Sequence, residues 1–164
     1  MNAQLRKGLI VAAIHLAMVG SLGAKLLIDR AARPRVWART APIDPDDPLR
    51  GRYVRLRVEA TGTEFASDSS RQSVLLAARD GMLALVPTSD DTGLIASSST
   101  RNGERTAILE QPLAFFIPEH VPDPSIRAPG EELWVEVTLP KQGAPRPIRL
   151  AVKKDGVMTP LDLD

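Results

Sequence analysis

The chain contains no cysteine, which excludes disulfides, thiol nucleophiles and cysteine-ligated metal sites. Histidine is nearly absent too. His15 and His120 are the two in the sequence, so a Ser–His–Asp triad would have to be built on His120. That residue sits in Pro118-Glu-His-Val-Pro122, a proline-bounded turn. Glu119 and His120 are adjacent and point apart, whereas a metal site needs three or four converging ligands. Neither a GxxxxGK[ST] phosphate loop nor a GxGxxG fingerprint occurs, which removes the usual signatures of nucleotide binding.

What is present is unevenly distributed. Residues 1–39 carry Arg6, Lys7, Lys25, Arg30, Arg33, Arg35 and Arg39 against one acid, Asp29. Residues 40–164 hold 14 basic and 19 acidic side chains, a net of −5. A nucleic-acid-binding domain is basic where it folds. Here the basic excess flanks a hydrophobic segment instead, so no nucleic-acid partner is expected.

That segment, Gly8 to Ala24, is 17 residues without a formal charge. At 1.5 Å per residue it reaches ~25 Å, slightly short of a hydrocarbon core of ~30 Å. Lys25 can snorkel, which lets Leu26, Leu27 and Ile28 extend the span to 21 residues, 8–28. A signal-anchor helix is the expectation, with 1–7 as a basic tail. A cleaved signal peptide is the rival, because Ser21 and Gly23 are small residues two apart. His15 falls mid-span without a second polar partner on the helix, which favours a neutral, tolerated histidine over a proton site.

Residues 29–48 read as a connector, basic at first and then rich in Pro and Asp. Pro34, Pro42, Pro45 and Pro48 block helix and favour extended chain. Asp44, Asp46 and Asp47 lack the Gly bend and terminal Glu of a calcium loop. On this reading a fragment starting near Ala41 contains the whole folded domain, 49–164.

Beyond Leu49 the dominant period is two. Val54, Leu56, Val58 and Ala60 share one face of a strand; Tyr53, Arg55, Arg57 and Glu59 share the other. Val74–Arg79 and Met82–Val86 flank Asp80-Gly81, a type I′ hairpin turn. Leu133, Val135, Val137 and Leu139 alternate with Trp134, Glu136 and Thr138, and Ile148, Leu150 and Val152 follow suit before Asp155-Gly156. Leu113–Ile117 is continuously apolar and is expected to be buried on both faces. Ser67–Ser73 and Ser97–Gly103 read as polar loops. The expected fold is mainly β: one N-terminal transmembrane helix, then a small antiparallel domain, sandwich or barrel-like.

The sequence offers no catalytic constellation, and no cofactor or metal is expected. A Ser–Lys dyad could be nominated from Ser97, Ser98 or Ser99 with Lys153 or Lys154, without a spacing that selects among them. Arg50, Arg52, Arg55 and Arg57 form a basic stretch that suits a solvated strand face or anionic lipid headgroups.

Two segments carry a family resemblance. Pro42–Val58, PIDPDDPLRGRYVRLRV, resembles the signature of the GDYXXLXY family of bacterial membrane-anchored proteins. Gly51, Tyr53 and Leu56 stand at the motif's Gly, first Tyr and Leu. Arg52 replaces its Asp and Val58 its final Tyr. Phe115-Phe116-Ile117-Pro118-Glu119 is similar to the family's later Tyr-Phe-Val-Pro-Glu element. The resemblance implies an exported domain tethered by its N-terminus in the inner membrane, and it carries no established activity.

Orientation pulls two ways. Five basic residues, Lys25 included, follow the charge-free run by Arg39 and two precede it, which by the positive-inside rule keeps the domain in the cytoplasm. Arg6-Lys7 ahead of an apolar run is the layout of an export signal, and with the resemblance it favours an extracytoplasmic domain. The expected role is a non-enzymatic accessory or interaction module for a membrane or envelope partner. Its interaction residues are drawn from Gly51, Arg52, Tyr53, Leu56, Val58, Phe116, Pro118 and Glu119. A tethered Ser–Lys hydrolase and a lipid- or glycan-binding module stand as alternatives.

Overall fold

The chain begins with a long apolar helix. The computed structural model describes residues 3–41, 53–61, 65, 71–101 and 103–163, which fall into two compact units, Met1–Arg33 and Pro34–Asp164. The first unit is α1, Ala3–Ala32, 30 residues and so ~45 Å long. Within it Arg6–Ile28 is long and apolar enough to cross a membrane, and none of that stretch is buried. Its Leu, Ile, Val and Met side chains are exposed all along it. Two uncharged polar side chains within it find partners on the helix's own backbone, as a hydrocarbon environment would require. His15 Nδ1 lies 2.8 Å from the Val11 carbonyl oxygen, and Ser21 Oγ donates to the Met18 carbonyl at 2.9 Å. The helix stops two residues before Pro34, whose ring disfavours helical geometry in the residue ahead of it.

The second unit is built of ten strands: β1 Arg35–Ala41, β2 Tyr53–Thr61, β3 Arg71–Arg79, β4 Met82–Thr88, β5 Ile95–Arg101, β6 Glu104–Leu109, β7 Leu113–Phe116, β8 Glu131–Thr138, β9 Arg146–Lys154 and β10 Val157–Pro160. Six of them close into a barrel in the order β1-β4-β3-β5-β6-β2 and back to β1. From β1 the sheet continues outward as β8-β9-β10, and from β2 it continues to β7. Of the expected architectures, sandwich or barrel, the chain forms the barrel.

The period-two reading of β2 holds in detail. Val54, Leu56, Val58 and Ala60 are buried at 7% exposure or less, while Tyr53, Arg55 and Arg57 face out. Glu59 is the exception on the outer face, at 5%. Arg39 of β1 stands opposite it in register and places its Nε 3.5 Å from Glu59 Oε2. Both Asp-Gly turns form with positive φ at each residue, 51° and 75° at Asp80-Gly81 and 50° and 82° at Asp155-Gly156. Aspartate tolerates that region and glycine pays no Cβ penalty there.

Four expectations are corrected. The stretch 29–48 is not a connector throughout: α1 runs on to Ala32, and Arg35–Ala41 is a barrel strand. Val36 and Ala38 are buried at 1% and 2%, and Pro34 sits just ahead of the strand, where a missing N–H costs no ladder bond. Asp44, Asp46 and Asp47 lie outside the described residues. Ser97–Gly103 is not a loop, because most of it belongs to β5, which pairs with β3 on one side and β6 on the other. Ala96 and Ser98 are small enough to turn into the barrel, at 0% and 5% exposure. Most of the expected Ser67–Ser73 loop lies outside the described residues, and Arg71 onward is strand.

The third correction concerns Leu113–Ile117, which is buried on one face. Leu113 and Ile117 point inward while Ala114 and Phe116 are exposed, since β7 pairs with β2 alone. The fourth is β8, where the alternation suggested one buried face. Trp134, Glu136 and Thr138 are buried as well. Flanked by β1 and β9, β8 has its outer face covered by long basic side chains, with Lys153 Nζ 4.9 Å from the Trp134 ring centroid.

Because β1 closes the barrel, a fragment starting at Ala41 should fail to fold, whereas one starting at Pro34 should melt cooperatively by circular dichroism. In the full chain Leu56→Ala, a large-to-small change at 1% exposure, should cost about 2–5 kcal/mol. A thermal midpoint indistinguishable from wild type would contradict that packing.

Candidate interaction surface

The two motif segments, more than fifty residues apart in sequence, are neighbours in the sheet. β2 and β7 pair antiparallel, with Tyr53 opposite Phe116, Val54 opposite Phe115, Arg55 opposite Ala114 and Leu56 opposite Leu113. Further along the same edge of β2, Glu59 pairs with Ile108 of β6. Four residues of β2, Leu56 to Glu59, therefore span six of the partner chain, Ile108 to Leu113. The extra residues around Gln111-Pro112 let β6 and β7 run along one edge as two short strands.

Alternation then sorts the motif residues by face. Leu56 and Val58 point into the barrel with Val54, at 1%, 0% and 5% exposure. Tyr53 and Phe116 point out, at 61% and 52%. Their rings meet edge to face, with centroids 5.7 Å apart and planes at 74°, the geometry in which a ring edge meets a ring face of opposite charge. Two large aromatics of different strands thus form one exposed apolar feature. Arg55 and Arg57 continue the same face of β2.

Pro118 ends the β7 run and opens a turn closed by the Val121 N–H donating to the Pro118 carbonyl at 3.2 Å. Glu119 and His120 are exposed in that turn, and Glu119 is engaged in an interaction of its own. Gly51 and Arg52 lie outside the described residues. The motif therefore divides into core positions, Leu56 and Val58, and surface positions, Tyr53 and Phe116.

The Ser–Lys nominees are not brought together. Ser97–Ser99 lie on β5 and Lys153 and Lys154 on β9, with four strands between them in either direction around the barrel. Lys153 stands over the Trp134 ring, and Lys154 pairs with Glu131 at 3.4 Å. No cluster of three or more metal-ligating side chains occurs among the described residues.

Sequence reasoning missed a second outer-face array, on β1, β8 and β9. Trp37, Glu136 and Arg149 stand side by side in register. Arg149 Nε is 2.7 Å from Glu136 Oε2, and its guanidinium lies 5.4 Å from the Trp37 ring centroid. The alternation Arg35-Val-Trp-Ala-Arg39 was the available signal, hidden by reading the surrounding prolines as a linker.

A family model described as GDYXXLXY protein matches residues 16–160, a range that takes in both motif strands and the whole barrel. No curated protein and no solved structure matches the chain.

If the aromatic pair is a surface feature, Tyr53→Ala and Phe116→Ala should each cost about 1 kcal/mol or less. A double-mutant cycle should give a coupling of roughly 0.5–1 kcal/mol for the edge-to-face contact. A loss of several kcal/mol from either single change, read from the thermal midpoint, would make the pair a folding element.

Proposed function

This chain belongs to the GDYXXLXY family, and from that premise we propose that it is a membrane-anchored accessory protein whose β domain, outside the cytoplasm, docks an envelope or membrane partner through the Tyr53–Phe116 surface. The observation that carries the reading is the pairing of the two motif segments with their aromatic side chains turned outward. A motif serving the fold alone has no need of two large apolar rings at more than half exposure. Rings with a polar tip or edge are favoured where a surface is to be covered by another protein. Arg55 and Arg57 beside them suit a partner with an acidic rim, which would speed encounter and set orientation.

The length and apolarity of α1 support the anchoring. A retained helix holds the domain at the membrane surface, where the local concentration of a membrane partner is high and a modest contact suffices.

Three measurements test this. The protein should stay with membranes through a carbonate wash; release of a chain beginning near Ala24 would show cleavage in place of anchoring. An alkaline phosphatase fusion after Asp164 should be active, since that reporter works outside the cytoplasm, and a well-expressed inactive fusion would overturn the orientation. Affinity capture from detergent-solubilised membranes, read by mass spectrometry, should recover a membrane or envelope protein that the Tyr53→Ala/Phe116→Ala variant loses while its thermal midpoint falls by only a few degrees. Recovery of the same proteins by wild type and variant would exclude the aromatic surface.

A further inference from the structure

Near the end of β1 a cleft of about 150 Å³ opens beside the loop that precedes β8, and Arg39, Arg55, Ser125, Arg127, Glu131 and Glu132 are among its lining residues. Its charges do not cancel. Arg39 is committed to two carboxylates, with Nε 3.5 Å from Glu59 Oε2 and Nη1 3.4 Å from Glu132 Oε1. Glu132 also accepts from Trp134 Nε1 at 3.2 Å, and Glu131 pairs with Lys154. Arg55 is engaged in an interaction of its own. Arg127 is different: its Nε is shielded from solvent and has no hydrogen-bond partner among the described residues. A shielded guanidinium nitrogen without an acceptor is costly, and an anion held by the other donors of the fork offsets that cost.

The loop that carries this group is built of hydrogen-bonded turns. Asp123 Oδ1 accepts from the Ser125 N–H at 2.8 Å, and the Asp123 carbonyl accepts from the Ile126 N–H at 3.3 Å. On the other side the Ala128 carbonyl accepts from the Glu131 N–H at 3.0 Å. Local turns thus flank Arg127 on both sides.

We propose that this cleft is a binding site for a monoanionic carboxylate, with Arg127 as its charged anchor and the Ser125 hydroxyl as a second donor. The guanidinium is permanently charged and its forked donors match the two oxygens of a carboxylate. Glu131 and Glu132 in the same lining oppose a second negative charge, which disfavours phosphate and other dianions. The carboxylate could come from a small free acid or from the C-terminus of a peptide, and the cleft volume accommodates either headgroup.

The test is isothermal titration of the full chain in dodecyl maltoside micelles at low salt. The probes are propionate, N-acetyl-trialanine, the C-terminal amide of that peptide, and inorganic phosphate. Saturable binding of propionate or of the peptide acid is expected, with Arg127→Met weakening it by at least ~tenfold, the scale of one charge-assisted contact. Equal binding of the two acids assigns the site to small free acids, and preference for the peptide acid assigns it to chain termini. Ser125→Ala, at an exposed side chain, should weaken binding by about threefold, as loss of one neutral hydrogen bond does, with no change in thermal midpoint. Without acid present, Arg127→Met should melt no lower than wild type, because it removes a shielded nitrogen that has no hydrogen-bond partner among the described residues. The proposal is overturned if neither acid saturates, if Arg127→Met binds as well as wild type, or if the amide or phosphate binds as tightly as the acids. It is equally overturned if Arg127→Met melts several degrees lower, which would make Arg127 a structural residue.

Discussion

Strand β1 has to satisfy its backbone on both edges at once. One edge pairs with β8 from Arg35 to Arg39. The other pairs with β2 from Arg39 to Ala41, and Trp37 N–H donates across to the Gly81 carbonyl at the β3–β4 turn, at 2.9 Å. A buried amide left without a partner costs on the order of 1–3 kcal/mol, so a strand at this position draws three others to it. The barrel closes through β1, and the outer strands β8, β9 and β10 reach the barrel through it. Closure also limits open edges. The outermost strands, β7 and β10, have four residues each, and Pro160 sits within β10 while Pro118 lies just past β7, which blunts both edges against further pairing.

The outer face above β1, β8 and β9 shows how acidic and aromatic side chains come to be buried on a solvent-facing surface. Glu136 is 7% exposed because Arg149, its register neighbour, bonds its carboxylate and lays its guanidinium over Trp37. Glu59 is enclosed in the same manner by Arg39, which also reaches Glu132. Arginine and lysine stems cover apolar surface while their charged heads meet carboxylates or ring faces. The strand order puts the basic member of each group one strand from its acid, so the net acidity of the domain is offset locally where it is buried.

Against that covered face, the outer face of β2 and β7 is open, and the two differ because of position. β7 has a single partner strand, so nothing in the sheet extends over Phe116 and Tyr53. The chain's one tyrosine and a phenylalanine from the second motif are left edge to face in solvent, on the same β2 whose inner face supplies Val54, Leu56 and Val58 to the core. One motif thus contains both packing residues and exposed ones, on a strand whose inner face is fixed in the core.

Much of this was legible in the chain itself. A charge-free run near the N-terminus specifies a helix able to span a membrane, since length and apolarity are local properties. Alternation specifies which side of β2 is buried, and Asp-Gly specifies both hairpins, because those too depend on neighbouring residues alone. The sequence did not reveal β1, whose small apolar residues Val36 and Ala38 sit among prolines, nor β5, whose serines become inward-facing only when β3 and β6 flank them. Nor could it reveal that β8 is covered on both faces, that β7 has an open one, or that Tyr53 meets Phe116. Each of these depends on which strand lies next to which. Strand neighbours are selected by hydrogen-bond satisfaction around a closed barrel, a property of the whole ring and of no single segment.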